Sequence, residues 1–374
     1  MEAATAQLDV IQTRLVSKSS RVWLGSATSL TFLLLTACER TSTPRTPSLE
    51  LVPAGIVELE EPESAPLGMT GGFSRTADGG FLISDRQRGA LLQHSADGRR
   101  VREIGRRGSG PGEWESGPFG IYPYDDSTLA VSDGSMLRVF PLARPTDAWV
   151  RTQSPMTSAF AANNGAVFAR RIDRTQRSTL ARFRGPTDSA EFGGPFPSQV
   201  GRSQMVDMML VFVAATPLSG DSLAVFTQGS DFLFVGPFAG PFDSLHIPPV
   251  SRRGAMAEVL GAVRDDDPES GMKAAYKASY PLAVHRIGST NAVAVLTLDQ
   301  EFLGTRMAGA LNVAVANLSS RVVCGEVRVP VDADPQPWAT VASDTLFVFS
   351  HETDSTSARS QPRVRKFRLV TQDC

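Results

Sequence analysis

A polar turn leads directly into an apolar strand in residues 78–85, DGGFLISD. Aspartate and glycine favour turns, and a short apolar run bounded by turn residues is typical of a buried β-strand. The same order returns along the chain at residues 126–129, 164–167, 221–223, 290–293 and 343–346. Because one short pattern recurs six times, the sequence predicts a repeated β-structure.

The spacing of these copies indicates how the repeats assemble. Their first apolar positions are Phe81, Leu129, Val167, Leu223, Val293 and Leu346. The intervals accommodate β-propeller blades of about 40–50 residues, with room for insertions. We therefore predict an all-β fold, a six-bladed β-propeller of four-stranded sheets. Residues 54–60, AGIVELE, alternate as a strand, and we predict that they close the ring against the last blade, because an unpaired edge is prone to aggregate.

A glycine-rich segment, residues 105–114 (GRRGSGPGEW), follows the first copy. Its glycines permit positive φ angles, and Trp114 can anchor the loop by packing its ring. The alternative is a phosphate cradle, but a P-loop needs Gly-Lys-Ser/Thr at the start of a helix. Here Glu113 ends the pattern and Pro118 follows. The sequence favours the structural interpretation.

Residues 78–85 and 104–114 together resemble blades of the six-bladed NHL-like β-propeller lipoprotein family. In that family a G-x-G-x-G-P-G-E-aromatic segment links the outer strand of one blade to the inner strand of the next. The similarity is good over about residues 70–140 and weaker afterwards. It implies the fold and transfers no catalytic residue.

Residues 1–38 are predicted to be a bacterial lipoprotein signal peptide. Basic residues precede a mostly apolar run at residues 22–35. That run has the length of the apolar core (h-region) of a signal peptide, and it falls short of the roughly 20 residues that span a bilayer. Residues 35–38, LTAC, resemble a lipobox, so we predict lipidation of Cys38; an uncleaved anchor is the alternative. The expected location is the cell envelope, at the outer membrane or the periplasmic face in a diderm bacterium.

The remaining chain divides into a tether and the propeller. Residues 39–48 lack large apolar side chains and are predicted to be flexible. Residues 49–374 are assigned to the propeller. Charged residues make up 20% of the chain and the net charge is -2. This balance predicts no nucleic-acid partner, and membrane contact through the lipid anchor only.

One segment has a helical rather than a strand period. Met256, Val259, Leu260 and Val263 follow the i, i+3, i+4, i+7 spacing of one helical stripe. We predict a small helical insertion over about residues 252–280, between blades 4 and 5. A packing role is favoured over a partner-binding lid, because apolar stripes are usually core.

Few residues indicate catalysis. The four histidines lie far apart and form no HxH or HExxH pair. Lactonase-like six-bladed propellers hold a cation at the channel with side chains from separate blades. Asp85, Asp133 and Asp299 follow apolar runs that we expect to be inner strands, so they are weak candidates for calcium ligands. We predict no catalytic residue and no cofactor.

The other two cysteines, Cys324 and Cys374, are predicted to form a disulfide in an oxidising compartment. Taken together, the sequence favours an envelope-tethered propeller that acts as a binding or scaffolding module for an unidentified protein or small molecule at one face, without catalysis. The alternative is a secreted, metal-dependent hydrolase of the lactonase or esterase kind.

Overall fold

The computed structural model describes residues 46–62, 66–134, 136–152, 159–163, 165–173, 175–196, 213–228, 230–254, 278–303, 306–331, 337–353 and 360–374. These residues form 24 β-strands in six four-stranded sheets, which confirms the predicted all-β, six-bladed propeller. No helix among them is long and apolar enough to cross a membrane. The predicted signal peptide, most of the tether and nearly all of the predicted helical insertion lie outside the described residues.

Each of the first three blades is a run of four consecutive strands. Blade 1 consists of β2 (Thr70–Arg75), β3 (Phe81–Asp85), β4 (Ala90–His94) and β5 (Arg100–Ile104). Blade 2 consists of β6 (Pro118–Pro123), β7 (Thr128–Asp133), β8 (Met136–Pro141) and β9 (Trp149–Thr152). Blade 3 consists of β10 (Ala159–Asn163), β11 (Ala166–Asp173), β12 (Ser178–Phe183) and β13 (Glu191–Gly193).

The last blade takes its fourth strand from the start of the described chain. Blade 4 consists of β14 (Val213–Pro217), β15 (Ser222–Thr227), β16 (Phe232–Pro237) and β17 (Asp243–His246). Blade 5 consists of β18 (Tyr280–Arg286), β19 (Ala292–Leu303), β20 (Arg306–Asn317) and β21 (Val322–Arg328). Blade 6 consists of β22 (Trp338–Ala342), β23 (Thr345–Thr353), β24 (Ser360–Gln372) and β1 (Ser48–Glu58).

The first strand of each blade is the innermost one. These strands, β2, β6, β10, β14, β18 and β22, contact one another in turn around the ring, and β22 lies beside β2. The ring of inner strands therefore encloses a central channel.

The recurring apolar runs lie in the second strands, and the expectation that they are inner strands is wrong. A second strand sits inside its sheet with a blade on either side, so both of its faces are buried. All five residues of β3 are buried. An inner strand borders the channel and needs fewer large apolar side chains, as in β2, TGGFSR. A continuous apolar run thus marks the most buried strand of a blade.

The core is a set of layers between neighbouring blades. In β3, Phe81 and Ile83 pack against Phe347 and Phe349 of blade 6, whereas Leu82 packs against blade 2. Burying one such side chain stabilises the fold by about 1.5–3 kcal/mol. Successive residues of one strand therefore hold two blade interfaces together.

The predicted ring closure is confirmed. β1 pairs with β24 along its length, from Ser48 opposite Gln372 to Glu58 opposite Arg363. Leu59 extends the pairing with an N–H to the Pro362 carbonyl at 3.0 Å. The strand begins earlier than the predicted residues 54–60, and it covers the edge that β24 would otherwise expose.

The glycine-rich segment 105–114 connects β5 of blade 1 to β6 of blade 2. Trp114 is 3% exposed and packs against Phe140, with ring centroids 5.9 Å apart, so the predicted anchor is confirmed. The Glu113 carboxylate accepts the Gly110 N–H at 2.9 Å and the Arg106 Nε–H at 2.7 Å. The protein's own carboxylate thus takes the anion position that a phosphate cradle would leave for a ligand.

Candidate functional site

A central cavity of about 340 Å³ lies between the inner strands of all six blades. It is lined by residues 72–75, 120–123, 162, 215–217, 282–285 and 338–342. Its volume is at the lower end of the range of about 300–1,000 Å³ that is typical of small-molecule sites. We call this cavity the channel.

The channel lies toward one end of the ring. We call the end where the inner strands begin the upper face, and the end where they finish the lower face. In β2, β6 and β14 the lining residues are the last three or four of the strand, 72–75, 120–123 and 215–217. The cavity therefore lies toward the lower face.

The channel wall is mostly apolar and carries few titratable side chains. Burial, with a smaller contribution from nearby Tyr280, raises the pKa of Tyr122 far above its ordinary value. Burial lowers the pKa of His285 to about 4. At neutral pH the phenol is therefore protonated and the imidazole is neutral. Both are hydrogen-bonding groups without charge, which is the polar pattern expected of a ligand pocket.

The close approach of blades 1 and 2 beside the channel depends on glycine. A Cβ at Gly72 would lie 3.0 Å from the Cα of Gly120 on the neighbouring inner strand. A side chain at Gly72 would push the two inner strands apart, whereas Gly120 has a φ of 73° and a Cβ there would meet the Tyr122 side chain. These inner strands carry a weaker sequence signal than the second strands: TGGF at residues 70–73 and FGIY at residues 119–122 precede the first two copies of the turn pattern.

Asp85 and Asp133 do not line the channel; they end second strands at the upper face. Asp85 accepts the Gly68 N–H at 2.9 Å. Asp133 accepts the N–H groups of Glu115 and Ser116 at 2.9 and 2.8 Å. Each carboxylate therefore anchors the connection that leads into the inner strand of its own blade.

Asp299 has a related role between blades 4 and 5. It accepts the Ser279 hydroxyl, the Arg253 N–H at 3.2 Å and the Asn312 Nδ2–H at 3.2 Å. The Ser279 hydroxyl oxygen also lies 2.8 Å from the Arg253 carbonyl, which accepts the Ser279 N–H at 3.4 Å. Asp299 thus joins the two described ends of the connection whose residues 255–277 are not described.

A buried ion pair holds the same connection. The Glu326 carboxylate accepts the N–H groups of Ser251 and Arg252 at 2.7 and 2.8 Å and pairs with the Arg252 guanidinium. Arg252 also contacts Asp231 at 3.0 Å. Burial alone would raise the pKa of Glu326, but the backbone N–H groups and the Arg252 charge outweigh it and lower the pKa.

The three aspartates stand in separate blades, and each is engaged in hydrogen bonds to the protein. Among the residues that the structure describes, no three His, Cys, Asp or Glu side chains come close enough together to hold a metal ion. The described residues therefore add no support for a calcium site at Asp85, Asp133 and Asp299.

Two of the three cysteines form a link between blades 5 and 6, and the third lies outside the described residues. Cys324 of β21 and Cys374 form a disulfide with their Cα atoms 5.2 Å apart. The Cys374 carbonyl also accepts the Asn317 Nδ2–H at 3.0 Å. This link ties the end of blade 6 to blade 5. Cys38 falls outside the described residues, and its lipidation stays a prediction.

No protein-family model and no curated protein matches the chain. Among solved structures, it is similar to a DUF4221 family member from Bacteroides vulgatus, with a TM-score of 0.60 and 12% identity over 88% of this chain and 100% of that one. It is also similar to a candidate exported protein from Bacteroides fragilis (TM-score 0.52, 12% identity, 86% and 95% covered). A third match is the calcium-binding protein regucalcin from Agrobacterium tumefaciens (TM-score 0.44, 10% identity, 85% and 95% covered). At these identities the likeness concerns the fold alone: the chain is a six-bladed β-propeller, as its recurring turns and strands predict.

Proposed function

We propose that the protein is an envelope-tethered binding module whose central channel holds a small-molecule ligand. The observation that carries the proposal is the channel itself, a mostly apolar cavity bounded by all six inner strands. A few convergent polar groups in an apolar wall are the usual composition of a ligand site. The ring holds that wall in place, so little ordering would be needed on binding.

Ligand entry into the channel can be tested with N-phenyl-1-naphthylamine, a neutral dye whose fluorescence increases in apolar sites. Thr216 lines the channel and is half-buried, so Thr216→Trp should fill the cavity and abolish dye binding. Ala96 is exposed in a turn at the lower face, and Ala96→Trp is the matched control. Equal dye binding by wild type and Thr216→Trp, or none by wild type, would overturn the proposal.

The tether is the second part of the proposal and rests on the sequence. Lipid on Cys38 and a flexible segment at residues 39–48 would hold the propeller at the envelope. One neighbour of the same fold is also named as a candidate exported protein. Metabolic labelling with a fatty-acid analogue should mark the wild type and not Cys38→Ser. Equal labelling of the two would contradict lipidation at this residue.

The hydrolase alternative is tested on the same protein. A metal hydrolase on this fold needs several oxygen or nitrogen ligands converging on the channel. The three candidate aspartates instead anchor connections at the upper face. We expect no turnover of lactones or aryl esters with added calcium. Turnover that Thr216→Trp abolishes would replace the binding module with an enzyme.

A further inference from the structure

The channel wall is unbalanced in charge. Among its lining residues, all within the described part of the chain, Arg75 carries the one full charge, and no aspartate or glutamate faces it there. His285 adds no charge at neutral pH, because burial lowers its pKa to about 4. An occupant with one negative charge would therefore balance the wall.

Arg75 is held in place by aromatic rings. Its guanidinium carbon lies 4.1 Å from the ring centroid of Phe347 and 4.9 Å from that of Phe81. Both rings belong to second strands of neighbouring blades, so they hold the guanidinium at the junction of blades 6 and 1, beside the lower end of the channel wall. Cation–π contacts of this kind hold a cation without neutralising it.

The hydrogen-bonding capacity of Arg75 is not used up. Its buried Nε has no hydrogen-bond partner among the described residues. The Asp78 carboxylate, which does not line the channel, acts on Arg75 through its charge, and it accepts hydrogen bonds from Thr76 and Gly80 within its own turn. A guanidinium presents a planar fork of N–H donors that matches a carboxylate, sulfonate or phosphate oxygen pair.

Position along the channel orients the occupant. Arg75 is the last residue of β2, at the lower face, and Trp338 is the first residue of β22, at the other end of the wall. Between them the wall is apolar, apart from hydroxyl groups and the neutral imidazole of His285, whose buried Nε2 has no partner among the described residues. An anionic group would stay at the lower end while an apolar body extends inward.

We propose that the channel binds a monoanionic organic ligand, with its acidic group on Arg75 and an apolar, ring-containing body directed toward Trp338. This inference rests on the proposed function, because it names the ligand class of the same channel. The cavity of about 340 Å³ admits a compact molecule.

Two dyes with one skeleton test the charge. The sulfonate 1-anilinonaphthalene-8-sulfonate and the neutral N-phenyl-1-naphthylamine differ by the acidic group alone. We expect the wild-type chain to bind the sulfonate more tightly, although the neutral dye is the more apolar. Arg75→Gln should weaken sulfonate binding by about 10- to 100-fold, the range for one hydrogen-bonded charge contact. Its affinity for the neutral dye should stay unchanged. Arg99→Gln removes an exposed arginine and is the matched control.

The outcomes separate this inference from the proposed function. A wild type that prefers the neutral dye, or a folded Arg75→Gln that keeps full affinity for the sulfonate, overturns the ligand class and leaves channel binding intact. If Thr216→Trp still binds both dyes as the wild type does, channel binding itself is overturned. If Arg75→Gln does not fold, Arg75→Lys keeps the charge and most of the stem. In that variant the preference for the sulfonate must persist, or the inference fails.

Discussion

At the upper face, Asp85 and Asp133 are each 1% exposed and accept backbone N–H groups 17 or 18 residues away in sequence. At the lower face, Asp78 and Asp125 lie in exposed turns and accept hydrogen bonds from residues two positions away. The same side chain therefore positions a whole connection on one face and shapes a single turn on the other.

The two faces differ in how much each carboxylate contributes to the free energy of unfolding. Removing a buried acceptor leaves backbone N–H groups without water or partner, which costs about 1–3 kcal/mol for each group left unsatisfied. Removing an exposed acceptor lets water replace it. We therefore expect the upper-face carboxylates to contribute more to the free energy of unfolding, and the channel wall to depend on them through the inner strands they position.

The largest effect is expected at Glu326, which holds the upper-face connection between blades 4 and 5. Glu326→Gln leaves Arg252, 2% exposed in its side chain, with Asp231 as its remaining counter-charge. Breaking one side of a buried pair costs about 3–5 kcal/mol, and the remaining contact with Asp231 places the expected loss at the lower end of that range. Arg321→Met at the lower face breaks the exposed contact with Asp243 and should cost less than about 1 kcal/mol. Urea unfolding of the wild type, Glu326→Gln and Arg321→Met measures both losses in the free energy of unfolding.

The same pair predicts a pH dependence. Because its folded pKa is lowered, Glu326 contributes stability above the ordinary glutamate pKa of about 4.3, and this is lost as the pH falls through the folded value. The stability difference between wild type and Glu326→Gln should therefore shrink below about pH 4. A difference that stays constant from pH 7 to pH 3 would contradict the role of the charge.

The disulfide joins residues that are far apart in sequence, whereas the lower-face turns are held by residues two positions apart. Cys324 and Cys374 are 50 residues apart, and losing such a link typically costs about 2–4 kcal/mol. We expect Cys374→Ser to lower the unfolding free energy by that amount, and reduction of the wild type to reproduce the loss. Intact mass should rise by two hydrogens on reduction. Free thiols in the unreduced wild type would contradict the bond.

Asp133 tests the upper-face anchor directly. Asp133→Ala removes the acceptor for Glu115 and Ser116 and the partner of Arg138 at 3.2 Å. We expect a loss of about 2 kcal/mol. Hydrogen exchange at the Glu115 and Ser116 amides should accelerate in the variant, because those groups lose their acceptor. Unchanged exchange at both amides would show that the carboxylate does not hold the connection.

The sequence predicts the ring well and the channel poorly, for physical reasons. The run at Phe81 is fully apolar because it serves two blade interfaces, so the number of blades can be counted from it. Strand alternation in residues 54–60 likewise predicts the closing strand. The channel is built from short segments of six distant strands, and Arg75 carries no local signal of its position. An aspartate at a strand end, such as Asp85, looks the same whether it faces a channel or anchors a loop.

The smallest effect is expected at Asp125, the lower-face counterpart of Asp133. Its carboxylate accepts the Ser127 N–H at 2.8 Å and the Ser127 hydroxyl at 3.0 Å, and the N–H bond is the main reason that its pKa is lowered. Its contribution is therefore present above the ordinary aspartate pKa of about 3.9 and lost as the pH falls below it. Asp125→Ala should cost less than about 1 kcal/mol, because water replaces the acceptor and the Tyr124 N–H still reaches the Thr128 carbonyl at 2.9 Å. Urea unfolding of Asp125→Ala beside Asp133→Ala at pH 7 gives the comparison in one experiment. Equal losses in the two variants would mean that burial and sequence distance do not separate the two faces, and that the local turns carry as much of the fold as the upper-face anchors.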